Sequence, residues 1–349
     1  MNKIRLLFAL SIFCTGHSFG QPLAKGLPRN LIIVSVNGLG MNQIAAGALK
    51  KGSMISFSNL KTMGFVQAWP SNGKQPSDSL TAEAICTGKL QMGIDRNSKT
   101  LFDVAKAENM KTGMITTNSV TGITPKNFVF ENPGKKDDEA LALDYLNSNL
   151  DIIVGGGSKY FDKRYDGRNL FKEFKNKGYN LESKLSGISN PKPKKTIALL
   201  ETDGIYRASE RKDFLTKAAL FASGSMEGEA AGYLLIIDDS KIEEADSLNN
   251  TTLLSEEMLD LDKLVSALIE RAGSETLILV TGNYEDGGLE LKDANINSKS
   301  EPDVIWRSKK PTPALAPVFA KGPGADQFSG FYSQADIFKK LSGLITSRH

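Results

Sequence analysis

Short, largely apolar runs separated by amphipathic stretches limit what this chain can fold into more than any other feature. The runs are Leu31–Val36, Gly113–Thr117, Asp151–Val154, Thr196–Leu200, Tyr233–Ile237, Thr276–Thr281 and Pro317–Ala320. They lack the apolar–polar alternation of a half-exposed strand, which suits strands covered on both faces. Between them, Leu101–Glu108, Asp137–Asn147, Asn169–Lys177, Asp213–Ala222 and Ser255–Ala272 carry helical periodicity. Strand and helix alternating in this way predict an α/β fold, a doubly wound sheet with helices on both faces. No internal repeat or long low-complexity tract interrupts the pattern. Residues 21–349 therefore read as a single domain, with 296–310, polar and ending near prolines, as a short insertion loop.

Residues 1–20 read as an export signal. Lys3 and Arg5 precede the apolar run Leu6–Phe13, and Ser18-Phe19-Gly20 offers a small-residue cleavage site. Cleavage after Gly20 and a secreted or periplasmic protein are the expectation. Phe13 stands where lipid attachment at Cys14 would need a small residue, and no apolar stretch is long enough to span a bilayer. Loss of Lys3 and Arg5 takes the net charge from +3 to +1. That balance gives no electrostatic reason to expect nucleic acid or an anionic membrane as partner. The basic run Lys192–Lys195, interleaved with prolines, reads as a solvated loop. Beyond the signal one cysteine remains, Cys86, so no intrachain disulfide is expected.

The chain has two histidines, His17 in the signal and His349 at the last position. The folded body is thus expected to work without imidazole as base, acid or metal ligand, which excludes Ser-His-Asp hydrolysis and His-rich zinc sites.

In doubly wound sheets the functional groups gather beyond the carboxyl ends of the strands. There the sequence places Asn37-Gly38-Leu39-Gly40, Gly155-Gly156-Gly157, Asp238-Asp239 and Gly282-Asn283-Tyr284. Gln43 stands where a dinucleotide fingerprint needs its third glycine, which argues against that reading. Taken in order, these segments resemble the alkaline phosphatase family. Asn30 to Gly40 resembles its first strand and Gly-Asp-Gly-Met-Gly loop, and Ser77 to Gly88 its Asp-Ser nucleophile segment with the Thr-Gly that follows. Thr121 to Pro125 is similar to its Ala-Thr-Pro segment, and Ile152 to Phe161 to its triple-glycine turn. Gly232 to Glu243 resembles its Glu-Gly strand and the Ile-Asp after it. Thr276 to Gly288 resembles its Asp-His-x-x-Gly-Gly segment, and Ala316 to Phe338 its closing strand and helix. The likeness runs collinearly from about Asn30 to Leu341.

The resemblance implies in-line phosphoryl transfer to a serine assisted by two zinc ions and a magnesium ion, with an arginine on the phosphate. It also implies a homodimer. The ligand positions are altered. The bridging aspartate is Asn37, and the acid or histidine before Thr124-Pro125 is Gly122. The zinc histidines fall on Ser247, Tyr284 and Pro311, the aspartate beside the second of them on Asn283, and the phosphate-binding arginine on Lys135. Asp238 replaces a glutamate and Glu243 an aspartate. Such a set predicts loss of the zinc pair. The oxygens of Asp238, Glu243 and Thr124 suit at most one hard cation, magnesium or calcium.

Some alternatives stay open at this level. Matching the Asp-Ser pair makes Ser79 the candidate nucleophile, whereas counting back from Thr87-Gly88 without a gap puts Asp78 there. One of the two is expected to cap a helix. Asp238, Asp239 and Glu243 read either as a residual metal site or as solvated loop acids, and Gly155–Gly157 as a close approach to a ligand or a tight turn. The functional expectation is an exported pseudoenzyme binding a small polar or phosphorylated ligand or a partner. Its alternative is a divergent phosphoric monoester hydrolase using Ser79 and one hard cation.

Overall fold

A computed structural model describes residues 26–70, 75–90, 99–130, 137–191, 195–292 and 299–348. Its strands are β1 (Asn30–Val36), β2 (Thr62–Gln67), β3 (Lys111–Ser119), β4 (Ile152–Gly156), β5 (Asn180–Glu182), β6 (Thr196–Leu199), β7 (Tyr233–Asp239), β8 (Thr276–Gly282), β9 (Leu289–Leu291), β10 (Val304–Trp306), β11 (Ala316–Lys321) and β12 (Gly330–Ser333). The helices are α1 (Met41–Lys51), α2 (Asp78–Thr87), α3 (Leu101–Ala107), α4 (Ile123–Val129), α5 (Asp138–Asn147), α6 (Lys159–Asp162), α7 (Leu170–Asn176), α8 (Ala208–Arg211), α9 (Phe214–Met226), α10 (Lys241–Ser247), α11 (Thr251–Arg271) and α12 (Ala335–Thr346).

A ten-stranded sheet runs β12-β2-β11-β8-β1-β7-β3-β4-β6-β5, parallel from β8 to β5, with β11 antiparallel to both β8 and β2. Each expected strand lies in it, and each expected helix forms. Alternate side chains of β1 show why both faces are apolar. Ile32, Val34 and Val36 join one core with residues of α1, α9, α10 and α11, while Leu31 and Ile33 join the other with residues of α2, α3, α5, α7 and α12. Polar residues mark several helix starts. Thr100 and Asp103 form a capping box on α3, and Asp137, Asn169 and Asn250 accept from the first turns of α5, α7 and α11.

The stretch read as an insertion loop is partly strand. Its residues 296–298 lie outside the described residues, but β10 pairs antiparallel with β9 as a separate two-stranded ribbon. The triple glycine that ends β4, with Gly155 and Gly156 in the strand and Gly157 just past it, is a packing device. A Cβ on Gly156 would collide with the carbonyl oxygen of Asp203, and Gly157 adopts φ +92°.

The register sets the stage for the site. Ser35 of β1 lies opposite Asp238 of β7 and Thr281 of β8, and Asp238 lies opposite Thr116 of β3. The carboxyl ends of the central strands therefore finish level, and the residues after them meet over the middle of the sheet.

Gly156→Ala should push the loop at Asp203 away and destabilise the protein by roughly 1–3 kcal/mol, read from urea unfolding midpoints.

Candidate functional site

Asn37 follows β1 directly and is fully buried. Its backbone N–H donates to Asp239 O at 2.9 Å and that of Asn283 donates to Val36 O at 2.8 Å, so the ladders run one residue past the strand. The side chain is used completely. The Asn37 Oδ1 atom accepts from Asn283 Nδ2, and Asn37 Nδ2 donates to Thr124 Oγ1 at 3.1 Å and to Glu243 Oε2 at 3.3 Å. Asn283 Oδ1 in turn accepts from Ser35 Oγ at 2.7 Å, and Asn283 O accepts from Gln334 Nε2 at 2.9 Å. Gly38, at φ +83°, lets α10 come close: a Cβ there would stand 2.9 Å from Glu243 N and from Asp246 Oδ2.

Tyr284 is buried, and its hydroxyl donates to Asp78 Oδ1. Asp78 and Ser79 open α2, but neither caps it. The N-cap residue is Ser77, and no side-chain bond closes that cap. The two candidates for the nucleophile's place face different partners. Asp78 meets Tyr284, while Ser79 Oγ accepts from Asn127 Nδ2 of α4 at 3.2 Å.

The solvated-loop reading of Asp238 and Asp239 does not hold, because both end β7 fully buried. Thr116 Oγ1 donates to Asp238 Oδ2 at 2.7 Å, and Thr117 Oγ1 to Asp239 Oδ1 at 3.2 Å. Asp238 Oδ1 and Asp239 Oδ2 receive no hydrogen bond. Burial, followed by the charges of Asp239, Asp78 and Glu243, pushes the Asp238 carboxyl well above its usual range despite the Thr116 bond. Burial and then the Asp78 charge raise Glu243 as well. Three basic groups nearby pair with other acids: Arg211 with Glu257 and Asp260, and Arg207 and Lys241 with Glu244.

Beside this network stands a cluster that the sequence reading missed. Gln43, on α1, donates from Nε2 towards Glu285 Oε1 at 3.0 Å, Asp286 O at 2.9 Å and Asp246 Oδ2 at 3.3 Å. Burial first, then Asp286 and Glu285, raise Asp246 well above its usual value, and burial brings Asp286 up to about 6. Position 43 was visible only as a missing glycine. Nothing in the sequence pairs it with acids more than 200 residues away.

The remaining former-ligand positions stay apart from the network. Gly122 precedes α4, where a Cβ would come within 2.9 Å of Ser119 O. Ser247 is exposed, and its hydroxyl donates to Glu244 O at 3.0 Å. Pro311 forms an antiparallel bridge with Asp286. Lys135 lies outside the described residues.

A zinc pair with magnesium does not fit this donor set. Zinc needs acceptor nitrogens or anionic oxygens, yet Asn37 presents both amide hydrogens to Thr124 and Glu243 and spends its oxygen on Asn283. The phenol of Tyr284 reaches Asp78 and holds its proton far above the ordinary range, by burial first and then by the neighbouring Glu243 and Asp78. Among the described residues no group of three or more His, Cys, Asp or Glu is arranged to hold a metal ion.

Comparison with known proteins places this geometry in a family frame. The profile described as "Alkaline phosphatase" matches residues 28–302. Alkaline phosphatase 4 of Bacillus subtilis (strain 168) is 25% identical in a gapped alignment of 359 positions that covers 92% of this chain and 77% of that one. Alkaline phosphatase 3 of the same strain is 27% identical over 242 residues, 66% of this chain and 52% of that one. Among solved structures, the alkaline phosphatase of the Antarctic bacterium TAB5 superposes with a TM-score of 0.82 at 24% identity, over 92% of this chain and 98% of that one. The Thermus thermophilus enzyme gives 0.81 at 18% identity, over 98% and 96%. These superpositions establish the fold. A variant of the TAB5 enzyme carries magnesium in its M3 site.

Buried carboxyls raised in this way make stability depend on pH with a definite sign. Burial lifts Asp286 to about 6 and Glu83 of α2 to about 7. Each binds a proton in the folded chain over a range where the unfolded chain has lost it. Their contribution is complete below the unfolded values near 4 and is lost as pH rises through the folded ones. Stability should fall between about pH 4.5 and 7.5, at about 1.4 kcal/mol per pH unit for each whole proton of difference. Glu83→Gln should flatten that slope in chemical unfolding at stepped pH.

Proposed function

The chain belongs to the alkaline phosphatase family, and from that premise we propose that it is an exported member in which two-zinc phosphomonoester hydrolysis is lost and the fold is kept to bind a polar ligand or a partner protein. The observation that carries this reading is the hydrogen-bonded amide pair Asn37–Asn283, which sits where the resemblance requires anionic ligands. A metal-bridging carboxylate is acceptor only, whereas the Asn37 amide turns two hydrogens into the same space.

Electrostatics narrows the ligand. Asp78 and Glu243, both half-buried, give the site a carboxyl rim next to the fully buried Asp238. A bare phosphate dianion would set its acceptor oxygens against carboxyl groups there and oppose the ionisation of Asp238 and Glu243 still further. Polar groups that donate hydrogen bonds, or a cationic group, match this rim better. A phosphorylated ligand would depend on Lys135. The hydrolase alternative needs Ser79 free and deprotonated beside a cation, but its hydroxyl is turned to Asn127 and Asp78 holds the position facing Tyr284.

Export rests on the reading of residues 1–20. No helix of the described residues is long and apolar enough to cross a membrane. Secretion or a periplasmic location, a single domain over 21–349 and pairing into a homodimer complete the proposal.

Hydrolysis of 4-nitrophenyl phosphate by the chain from Gln21 onward, with zinc and magnesium supplied, tests it. The rate should match the protein-free background for both the wild-type chain and Ser79→Ala. Metal-dependent turnover that disappears in Ser79→Ala would replace this reading with the hydrolase one.

A further inference from the structure

The residues at the former ligand positions have a physical task of their own. A shared metal ties loops from separate strands into one unit, and removing its ligands would leave buried polar groups unpaired, which is costly. Here Asn37, Asn283, Tyr284 and Glu243 are paired with one another or with Thr124 and Asp78, while Asp238 keeps one oxygen without a partner. Asn37 extends β1, Asn283 and Tyr284 follow β8, Thr124 lies on α4, Asp78 opens α2 and Glu243 lies on α10. Side-chain hydrogen bonds join Asn283 to Asn37, Asn37 to Thr124 and Glu243, and Tyr284 to Asp78. Ser35 and Gln334 anchor the Asn283 end.

We propose that this set is a metal-independent keystone: hydrogen bonds among Asn37, Asn283, Thr124, Glu243, Tyr284 and Asp78 join the elements that ligation would otherwise join. The proposal rests on the loss of the zinc pair argued above and adds what replaced it. The pattern selects the amide at position 37. Both Nδ2 hydrogens go to acceptors and Oδ1 goes to a donor, so an aspartate there would set oxygen against Glu243 Oε2 and leave the Thr124 bond to reverse its direction. The bonded pattern thus favours the amide over a metal-ligating carboxylate at this residue. Tyr284 is fully buried, so its ring packs into the interior while its hydroxyl reaches Asp78.

Thermal unfolding of the chain from Gln21 onward, in EDTA, in zinc and in magnesium, reads this directly. The wild-type Tm should coincide in all three. Tyr284→Phe keeps the ring and removes one hydroxyl, and Asn37→Asp inverts the donor pattern. Each should lower Tm by on the order of 2–4 °C, equally with and without zinc. A wild-type Tm that drops in EDTA or climbs in zinc overturns the keystone. So does an unchanged Tm in both variants, or a zinc-induced rise in Asn37→Asp to or above the wild-type value. The wild-type arm stands even if a variant fails to fold. A metal-sensitive Tm without phosphatase turnover sinks the keystone alone, whereas zinc-dependent turnover sinks the proposed function with it.

Discussion

The amide-to-amide hydrogen bond between Asn37 and Asn283 depends on the parallel pairing of β8, β1 and β7, and the rest of the site depends on it. Those ladders run past the strands by one residue, which brings two asparagines from segments 246 residues apart into contact in a fully buried position. A buried amide is tolerated only when its donors and acceptor are matched. Matching them fixes Thr124 and Glu243 on one side and Ser35 on the other. The local chemistry and the global register are therefore one constraint seen at two scales.

The acids around this pair are its electrostatic counterpart. Asp238 is fully buried with a threonine partner on one oxygen and none on the other, and the Gln43 cluster gathers Asp246, Glu285 and Asp286 around a single amide. Asp238, Asp246 and Asp286 keep their protons to higher pH, because burial penalises the charged form and neighbouring charges add to that penalty. On the other side of β7 the balance is different. Arg211, itself buried, pairs with Glu257 and Asp260 at 2.8 Å each, and it lies close enough to Asp239 to feel its charge. The end of β7 thus separates acids that share a buried arginine from acids gathered around the Gln43 amide.

Much of the fold was legible because each central strand is a short apolar run between turn signals, and burial on both faces leaves little else for such runs to do. The pieces that escaped notice are short or half-exposed. β5 is three residues of mixed character, β12 begins at Gly330 with exposed positions, and β2 contains Gly64 amid partly exposed neighbours. At the site, positions 37, 283 and 284 stood out through the family frame, but their bonding did not, since an amide can face either way until its neighbours are known. Asp78 and Ser79 show the same limit. Adjacent helical residues point in different directions, and only the orientation of α2 against Tyr284 and Asn127 assigns one to each. Asp238 and Asp239 stay open between loop acids and a residual metal site on sequence, because nothing there reveals that Thr116 and Thr117 of β3 lie beside them.

The central claim is that hydrogen bonds occupy the place of metal ligation. Elemental analysis of the folded chain, purified without chelator from cells grown with zinc and magnesium and dialysed against metal-free buffer, tests it most directly. The account predicts zinc well below one equivalent per chain. Two equivalents of zinc retained through dialysis would mean that the site rearranges to ligate metal, and would contradict it.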